Sequence, residues 1–270
     1  MTAGNSSNTD GLKPPGARKL VHWSELLKAL VAKEIKVKYK RSILGFFWSL
    51  LTPLALTGVY LFVFIYVYKV DQKDFIFFLL SGLLPWNYFN MSLLAATNSL
   101  VENGSLIRKV FFPRALIPMS GVLANLVNFL LVMGLFTVVA VIAARPVVSH
   151  LHWLLVAIVL ETVLAVGLTM ALSAWNVYLR DIQQLISILS LIWFFATPIV
   201  YPLSRVPARF RPFILANPMA GIIELYRSAL YSAKSPAPDV LLSAFAGTVL
   251  ALVLGVLVFR KLGPVLAKEL

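Results

Sequence analysis

The chain has 270 residues, 60% of them hydrophobic and 13% charged, with a formal net charge of +13, no cysteine and a mean hydropathy of +0.86. A globular domain carries about 25% charged residues, so this composition excludes an ordinary soluble fold. The absence of cysteine leaves the redox compartment unread.

Residues 1–20 read as a polar, disordered cytoplasmic tail, without the apolar core and cleavage site of a signal peptide. Residues 21–42 read as a basic amphipathic interface helix. Ser24 is placed to cap its start, and Leu26, Leu27, Leu30, Val31 and Ile35 recur at helical spacing. Trp23 is expected to anchor it at the membrane interface, with Lys28, Lys33, Lys36, Lys38, Lys40 and Arg41 meeting anionic lipid at roughly 1 kcal/mol per cation. It is expected to lie along the surface and not continue straight into the first span, because a straight rod would drag Lys38 or Lys40 towards hydrocarbon.

Residues 43–260 contain six apolar stretches free of Lys and Arg: Gly45–Tyr68, Phe75–Thr97, Ala115–Ala144, Leu151–Ala174, Ile182–Tyr201 and Val240–Phe259. Each holds about 20 residues or more, enough at ~1.5 Å per residue to cross a ~30 Å hydrocarbon core. The fold class expected is an all-α polytopic membrane protein with six transmembrane helices. With the N-terminus inside, 16 of the 24 Lys and Arg residues fall on inner segments. That bias places both termini, including the tail 261–270, in the cytoplasm. It accounts for the positive charge without a nucleic-acid partner.

Three connections stand out. In 104–113, Leu106, Ile107, Val110, Phe111 and Phe112 interleave with Arg108 and Lys109, and Pro113 ends the turn. Such an apolar cytoplasmic loop either lies on the membrane or enters a partner protein's groove; the residues alone do not separate the two. In 176–184, Arg180 marks the cytoplasmic boundary, and Asp181 with Gln184 is arranged as a capping box for the fifth span. Residues 202–238 hold apolar segments interrupted by Pro and Arg, too short to span, with Asn217 as an N-cap and Pro218 at N1. These read as outer re-entrant helices over 203–235, which must be buried in protein or line a cavity.

Six collinear pieces then resemble a known family: "KVKYKRSILGFFWSLLTPL" (36–54), "SGLLPWNYF" (81–89), "LIRKVFFPRALIP" (106–118), "NVYLRDI" (176–182), "TPIVYPL" (197–203) and "NPM" with "YRSALY" (217–219, 226–231). They are similar, in order and spacing, to membrane subunits of type-2 ABC exporters for lipid-linked polysaccharide, the O-antigen, capsule and teichoic acid permeases. The resemblance implies that 104–113 is a coupling helix docking on a nucleotide-binding subunit, that 21–42 is the interface helix and that 203–235 forms outer gate helices. Asn176, Arg180 and Asp181 fall in its cytoplasmic loop motif. It further implies two membrane subunits with two ATPase subunits, a bacterial cytoplasmic-membrane location and undecaprenyl-diphosphate-linked glycan as substrate.

No Gly-x-x-x-x-Gly-Lys-Ser/Thr occurs, so ATP and magnesium are expected on the partner subunit and no cofactor on this chain. His150 and His152 lack a nearby carboxylate, and no metal site is expected. Glu161 is the only acid inside a span, read first as polar packing against a neighbouring helix. Trp48, Tyr60, Phe62, Trp86, Tyr88, Trp193, Phe194, Phe195 and Tyr201 concentrate in spans one, two and five. They are either lipid-facing and interface-belt residues or, for a part of them, the wall of a glycan channel at the dimer centre. Tyr60, Trp193 and Phe194 are the best placed, with Pro53 and Pro198 able to bend their spans. Export of a small amphiphile such as a drug or haem, and an intramembrane transferase using Glu161, are the alternative readings.

Overall fold

The computed structural model describes residues 15–40, 45, 47–67, 74–109, 112–143, 148–179 and 181–269. Helix α1 (Pro15–Tyr39) precedes α2 (Phe47–Leu61), which runs on through a π-helical segment, Phe62–Val67. Then come α3 (Phe75–Glu102), the short α4 (Gly104–Lys109), α5 (Leu116–Ile142), α6 (Leu151–Tyr178) and α7 (Ile182–Ala196). The chain closes with α8 (Arg211–Leu215), α9 (Pro218–Arg227) with a π-helical end at Ser228–Ser232, and α10 (Pro238–Glu269). The described residues contain no strand.

Helices α5, α6 and α10 are each long and apolar enough to cross a membrane. Leu54–Val67 and α7 are shorter apolar helices. The fifth apolar stretch, expected to be one helix to Tyr201, instead stops at Ala196. Pro198 is the cause: it disfavours the α conformation at the residue before it, and Thr197 is extended at φ −104°, ψ 136°. In α3, by contrast, Pro85 is accommodated within a continuous helix.

Helix α1 also departs from expectation at its start. It takes in 15–20, assigned above to the tail, because Pro15 suits a first helical turn and Ala17, Arg18, Lys19 and Leu20 are good helix formers. Ser24 is therefore interior to the helix and not at its start. Nor is Lys38 kept clear of the bundle. Its Nζ donates to Asn125 Oδ1 at 3.0 Å, and the Tyr39 hydroxyl donates to Asn128 Oδ1 at 2.9 Å. Those residues are the tenth and thirteenth of α5, so the end of α1 climbs alongside that helix. A cation carried inwards this way is tolerated because a polar partner awaits it.

The core is centred on α3 and α6, with Phe89, Leu93, Val122, Phe129, Leu164, Met219, Ile222 and Tyr226 among its buried members. The most extensive helix pairing is α6 with α10. It is set by two glycines: a Cβ on Gly255 would collide with the Gly167 carbonyl, and one on Gly167 would come within 2.7 Å of the Leu252 backbone. Small residues allow this approach, which is how helices associate where the solvent is itself apolar.

Helix α9 begins as the sequence suggested, with Asn217 Oδ1 accepting from Met219 N at 3.0 Å and Pro218 at N1. It is buried against α3, α6 and α10, and a Cβ on Gly221 would come within 2.8 Å of the α10 backbone at Val240 and Ala244. The Tyr226 hydroxyl donates to Glu161 Oε2 at 2.5 Å, and Glu161 is 0% exposed. Arg227, 3% exposed, donates to Glu224 Oε1 and to the Ile199 carbonyl, each at 2.7 Å, and its guanidinium lies 3.8 Å over the Phe78 ring. Glu161 thus packs against a neighbouring helix, as its isolation suggested.

The glycine contact yields a test. Gly255→Val should force α6 and α10 apart and destabilise the fold by ~1–3 kcal/mol, the usual range for overpacking. Thermal unfolding in detergent should show a lowered midpoint, whereas Gly134→Ala, where an added Cβ meets open space, should leave it unchanged. Equal midpoints for the two variants would refute the close approach.

Candidate functional site

The expected coupling segment starts at Asn103, which joins α3 to α4. Asn103 Nδ2 donates to the Ser99 carbonyl at 2.9 Å, while Lys33 Nζ from α1 donates to its Oδ1 at 2.5 Å. The Asn103 carbonyl accepts from Leu106 N and Ile107 N, starting α4. Leu106 and Ile107 are half-buried on a cluster formed by Leu100, Phe112, Ile117, Met170, Ala174 and Phe259, to which Trp23 and Leu26 of α1 also pack. Phe112 is only 7% exposed.

Leu106, Ile107 and Phe112 are therefore turned towards their own chain and not held out to a partner. Apolar side chains at this end of the bundle find cover within their own chain, which removes them from water without a second protein. Among the described residues of the segment, Ser105, Arg108, Lys109 and Pro113 are the exposed ones. Val110 and Phe111 lie outside the described residues, as do Arg41 and Arg180.

Along α1, Trp23 is half-buried, whereas Lys28, Lys33, Lys36 and Lys38, with Lys40 just beyond the helix, are exposed. In the 176–181 motif, Asn176 is buried and its Nδ2 faces Asn98 Oδ1 at a long 3.4 Å. Asp181 makes no side-chain cap for α7. Its backbone is already helical at φ −69°, ψ −16°, whereas a capping side chain requires an extended backbone. Its carbonyl accepts from Leu185 N at 2.9 Å instead.

The nine candidate channel aromatics divide into three groups. Trp86, Tyr88 and Phe194 are buried within the chain and form no open wall. Phe194 stacks on Tyr60 at 6.2 Å between ring centroids and meets Trp86 edge-on at 5.7 Å. Tyr88 stacks on Phe129 at 4.8 Å and donates to Thr162 Oγ1 at 3.1 Å. Tyr60, Trp193 and Tyr201 are half-buried, and Trp193 Nε1 donates to Asn217 Oδ1 at 2.9 Å, tying α7 to α9. Trp48, Phe62 and Phe195 are exposed. Channel lining by Phe194 is corrected on packing grounds, since a ring caged by three others has no face left for a substrate.

Several residues that matter to this geometry were not singled out beforehand. Tyr226 and Arg227 hold α9, and Asn87 on α3 lines, together with Asn125 and Asn128 on α5, a small cavity that also reaches Lys38, Tyr88 and Phe129. The signal was present as Asn pairs at i, i+3 inside otherwise apolar stretches, a spacing that puts both on one helix face. Among the described residues no group of three or more His, Cys, Asp or Glu could hold a metal.

Comparison with known proteins matches residues 25–231 to the family model described as "ABC-2 type transporter". The chain is 34% identical over 237 residues to the O-antigen export system permease protein RfbA of Myxococcus xanthus, covering 87% of this chain and 91% of that protein. It is 31% identical over 242 residues to RfbA of Klebsiella pneumoniae, covering 88% and 92%. The polysialic acid transport protein KpsM of Escherichia coli matches at 24% over 211 residues, covering 76% and 80%. With helices long and apolar enough to span a membrane and a match across most of its length, this chain belongs to the ABC-2 type transporter family.

Proposed function

We propose that the chain is the permease subunit of an exporter that moves a polysaccharide linked to a polyprenyl diphosphate, of the O-antigen or capsule kind, across a bacterial cytoplasmic membrane. The observation that carries this reading is the end-to-end similarity to permeases named for different polysaccharides, O-antigen and polysialic acid. ATP hydrolysis belongs to a separate nucleotide-binding subunit, because this sequence has no phosphate-cradling Gly-Lys loop. The chain crosses the membrane six times with both termini inside, and α8 and α9 form the outer gate.

Two copies form the path. Helices α2 and α7 support this: Trp48, Leu51, Leu54 and Phe62 on the first, and Ile188, Leu191, Ile192 and Phe195 on the second, are all exposed in the single chain. A second copy laid against these helices would cover part of that surface and bring the exposed rings to the centre. Glu161, fully buried and engaged by Tyr226, favours a packing role over the catalytic one an intramembrane transferase needs.

Deleting the gene in its host should abolish surface polysaccharide and leave lipid-linked glycan accumulating inside, with both restored from a plasmid. Unchanged surface glycan together with lost efflux of a small amphiphile would overturn the proposal.

The exposed cations of α4 are its proposed contact with the ATPase. The double substitution Arg108→Glu with Lys109→Glu should prevent co-purification with that subunit while leaving the permease's unfolding midpoint in place. Leu106→Asp should instead lower the midpoint, since Leu106 packs inwards. A stable complex with normal ATPase activity in the double variant would contradict this docking.

The aromatics separate in the same manner. Trp48→Ala, Phe62→Ala and Phe195→Ala should slow export without affecting assembly, each contact contributing about 1 kcal/mol or less. Phe194→Ala should lower stability by ~3–5 kcal/mol, the usual consequence of emptying a core aromatic site. Normal export in all three exposed-ring variants, measured as surface glycan per cell, would remove these rings from the path.

A further inference from the structure

The cavity between α3, α5 and the end of α1 has no role in the export scheme above, yet Lys38, Asn87, Tyr88, Asn125 and Asn128 bring polar side chains to its otherwise apolar lining. Asn87 and Asn128 are each the thirteenth residue of their helix, α3 and α5, about midway along both. Asn128 is 7% exposed, and its Oδ1 is taken by Tyr39. The Nδ2 atoms of Asn87 and Asn128 are both buried without a hydrogen-bond partner among the described residues. Lys38 Nζ enters the same space. It spends one donor on Asn125 and retains two more. The cavity is therefore lined by unpaired N–H donors from both α3 and α5 and by one positive charge from α1.

Unpaired donors at mid-depth of a membrane bundle are costly and call for an acceptor. The free volume is about 50 Å³, room for roughly four waters at 10–15 Å³ each, which suits a tetrahedral oxyanion and excludes a sugar ring. The surroundings say what carries it. Towards the middle of α1, a second cavity shares Lys38, Met91 and Asn125 with the first. Glu34, which lines that second cavity, has Lys33 as its partner at 3.8 Å. In the opposite direction a third cavity shares Leu84 and Val132 and is walled by apolar side chains alone, including Leu54, Phe77, Leu80 and Phe136.

We infer that this face of α3 and α5 is a binding site for a phosphate-headed lipid. The phosphate accepts from Lys38 Nζ and the Asn87 and Asn128 amides, and a hydrocarbon chain runs along the apolar cavity towards α2. Polar entry, donor-lined centre and apolar exit follow one another in the order of a single lipid whose head points to the α1 side. Both a polyprenyl diphosphate and a membrane phospholipid have this chemistry.

The test uses the full-length chain purified with its ATPase partner in a neutral detergent. Polyprenyl diphosphate, phosphatidylglycerol, phosphatidylcholine and inorganic phosphate are added in turn while the unfolding midpoint is followed. At least one of the two anionic lipids should raise the midpoint saturably. The more effective of them identifies the physiological source. Lys38→Met and Asn87→Leu should each abolish that rise. Without lipid, Asn87→Leu should unfold at or above the wild-type midpoint, because it removes an unsatisfied donor, whereas a purely structural Asn87 would make the variant less stable. An equal rise with phosphatidylcholine, a rise with inorganic phosphate alone, no rise with any lipid, or a full response in both variants would overturn the site.

Discussion

A membrane interior offers no water to polar groups, and the seating of α9 depends on how that constraint is met. Tyr226 and Arg227 sit side by side on a segment that is otherwise apolar on its buried face. Each finds its acceptors inside the protein: Glu161 for the phenol, Glu224 and the Ile199 carbonyl for the guanidinium. The Ile199 carbonyl faces inwards only because Pro198 has ended α7, so an interrupted helix and a buried cation belong to one arrangement. Gly82 allows it, since a Cβ there would stand 3.2 Å from that carbonyl and 3.4 Å from Arg227 Nη2. Removing one partner from such a set leaves another buried and unsatisfied, which is far more damaging than the net strength of any single bond.

The opposite end of the bundle is organised by a different rule. There Leu106, Ile107 and Phe112 gain cover from α1 and from the far end of α10, and Arg114 Nη1 donates to the Gly263 carbonyl at 2.5 Å across that junction. Arg108 and Lys109 remain outside. The ATPase contact proposed for the cations of α4 would rest on charge complementarity more than on a hydrophobic plug, and its encounter would be fast and salt-sensitive. The two ends are joined by α6 and α10, whose glycine contact holds them closer than larger side chains would permit.

Much of this was legible in the residues. The apolar stretches marked the helices, Asn217–Pro218 marked the start of α9 and the isolation of Glu161 marked a polar packing site. What was not legible has physical causes. Capping pairs read from sequence assume an extended backbone, and Asp181 does not have one. Clusters of aromatics in apolar stretches carry no information on which face is lipid, core or path, so Phe194 could not be told from Phe195. Leu106, Ile107 and Phe112 looked exposed because part of their cover comes from residues about 80 positions before them and about 150 after them. The Asn pairs of α3 and α5 were readable at i, i+3, but Asn87, Asn125 and Asn128 acquire meaning only once the two helices are seen to share a cavity.

The buried seating of α9 in the bundle and the outer-side position proposed for it are tested together by labelling. The chain contains no cysteine, so single cysteines report cleanly. In intact cells, a membrane-impermeant maleimide should label Arg209→Cys, an exposed position, within minutes. Ile223→Cys, at a side chain with no exposure, should stay unlabelled until the protein is denatured. Equal labelling of both positions would contradict the buried seating of α9, and labelling of neither until the cells are opened would contradict its placement on the outer side.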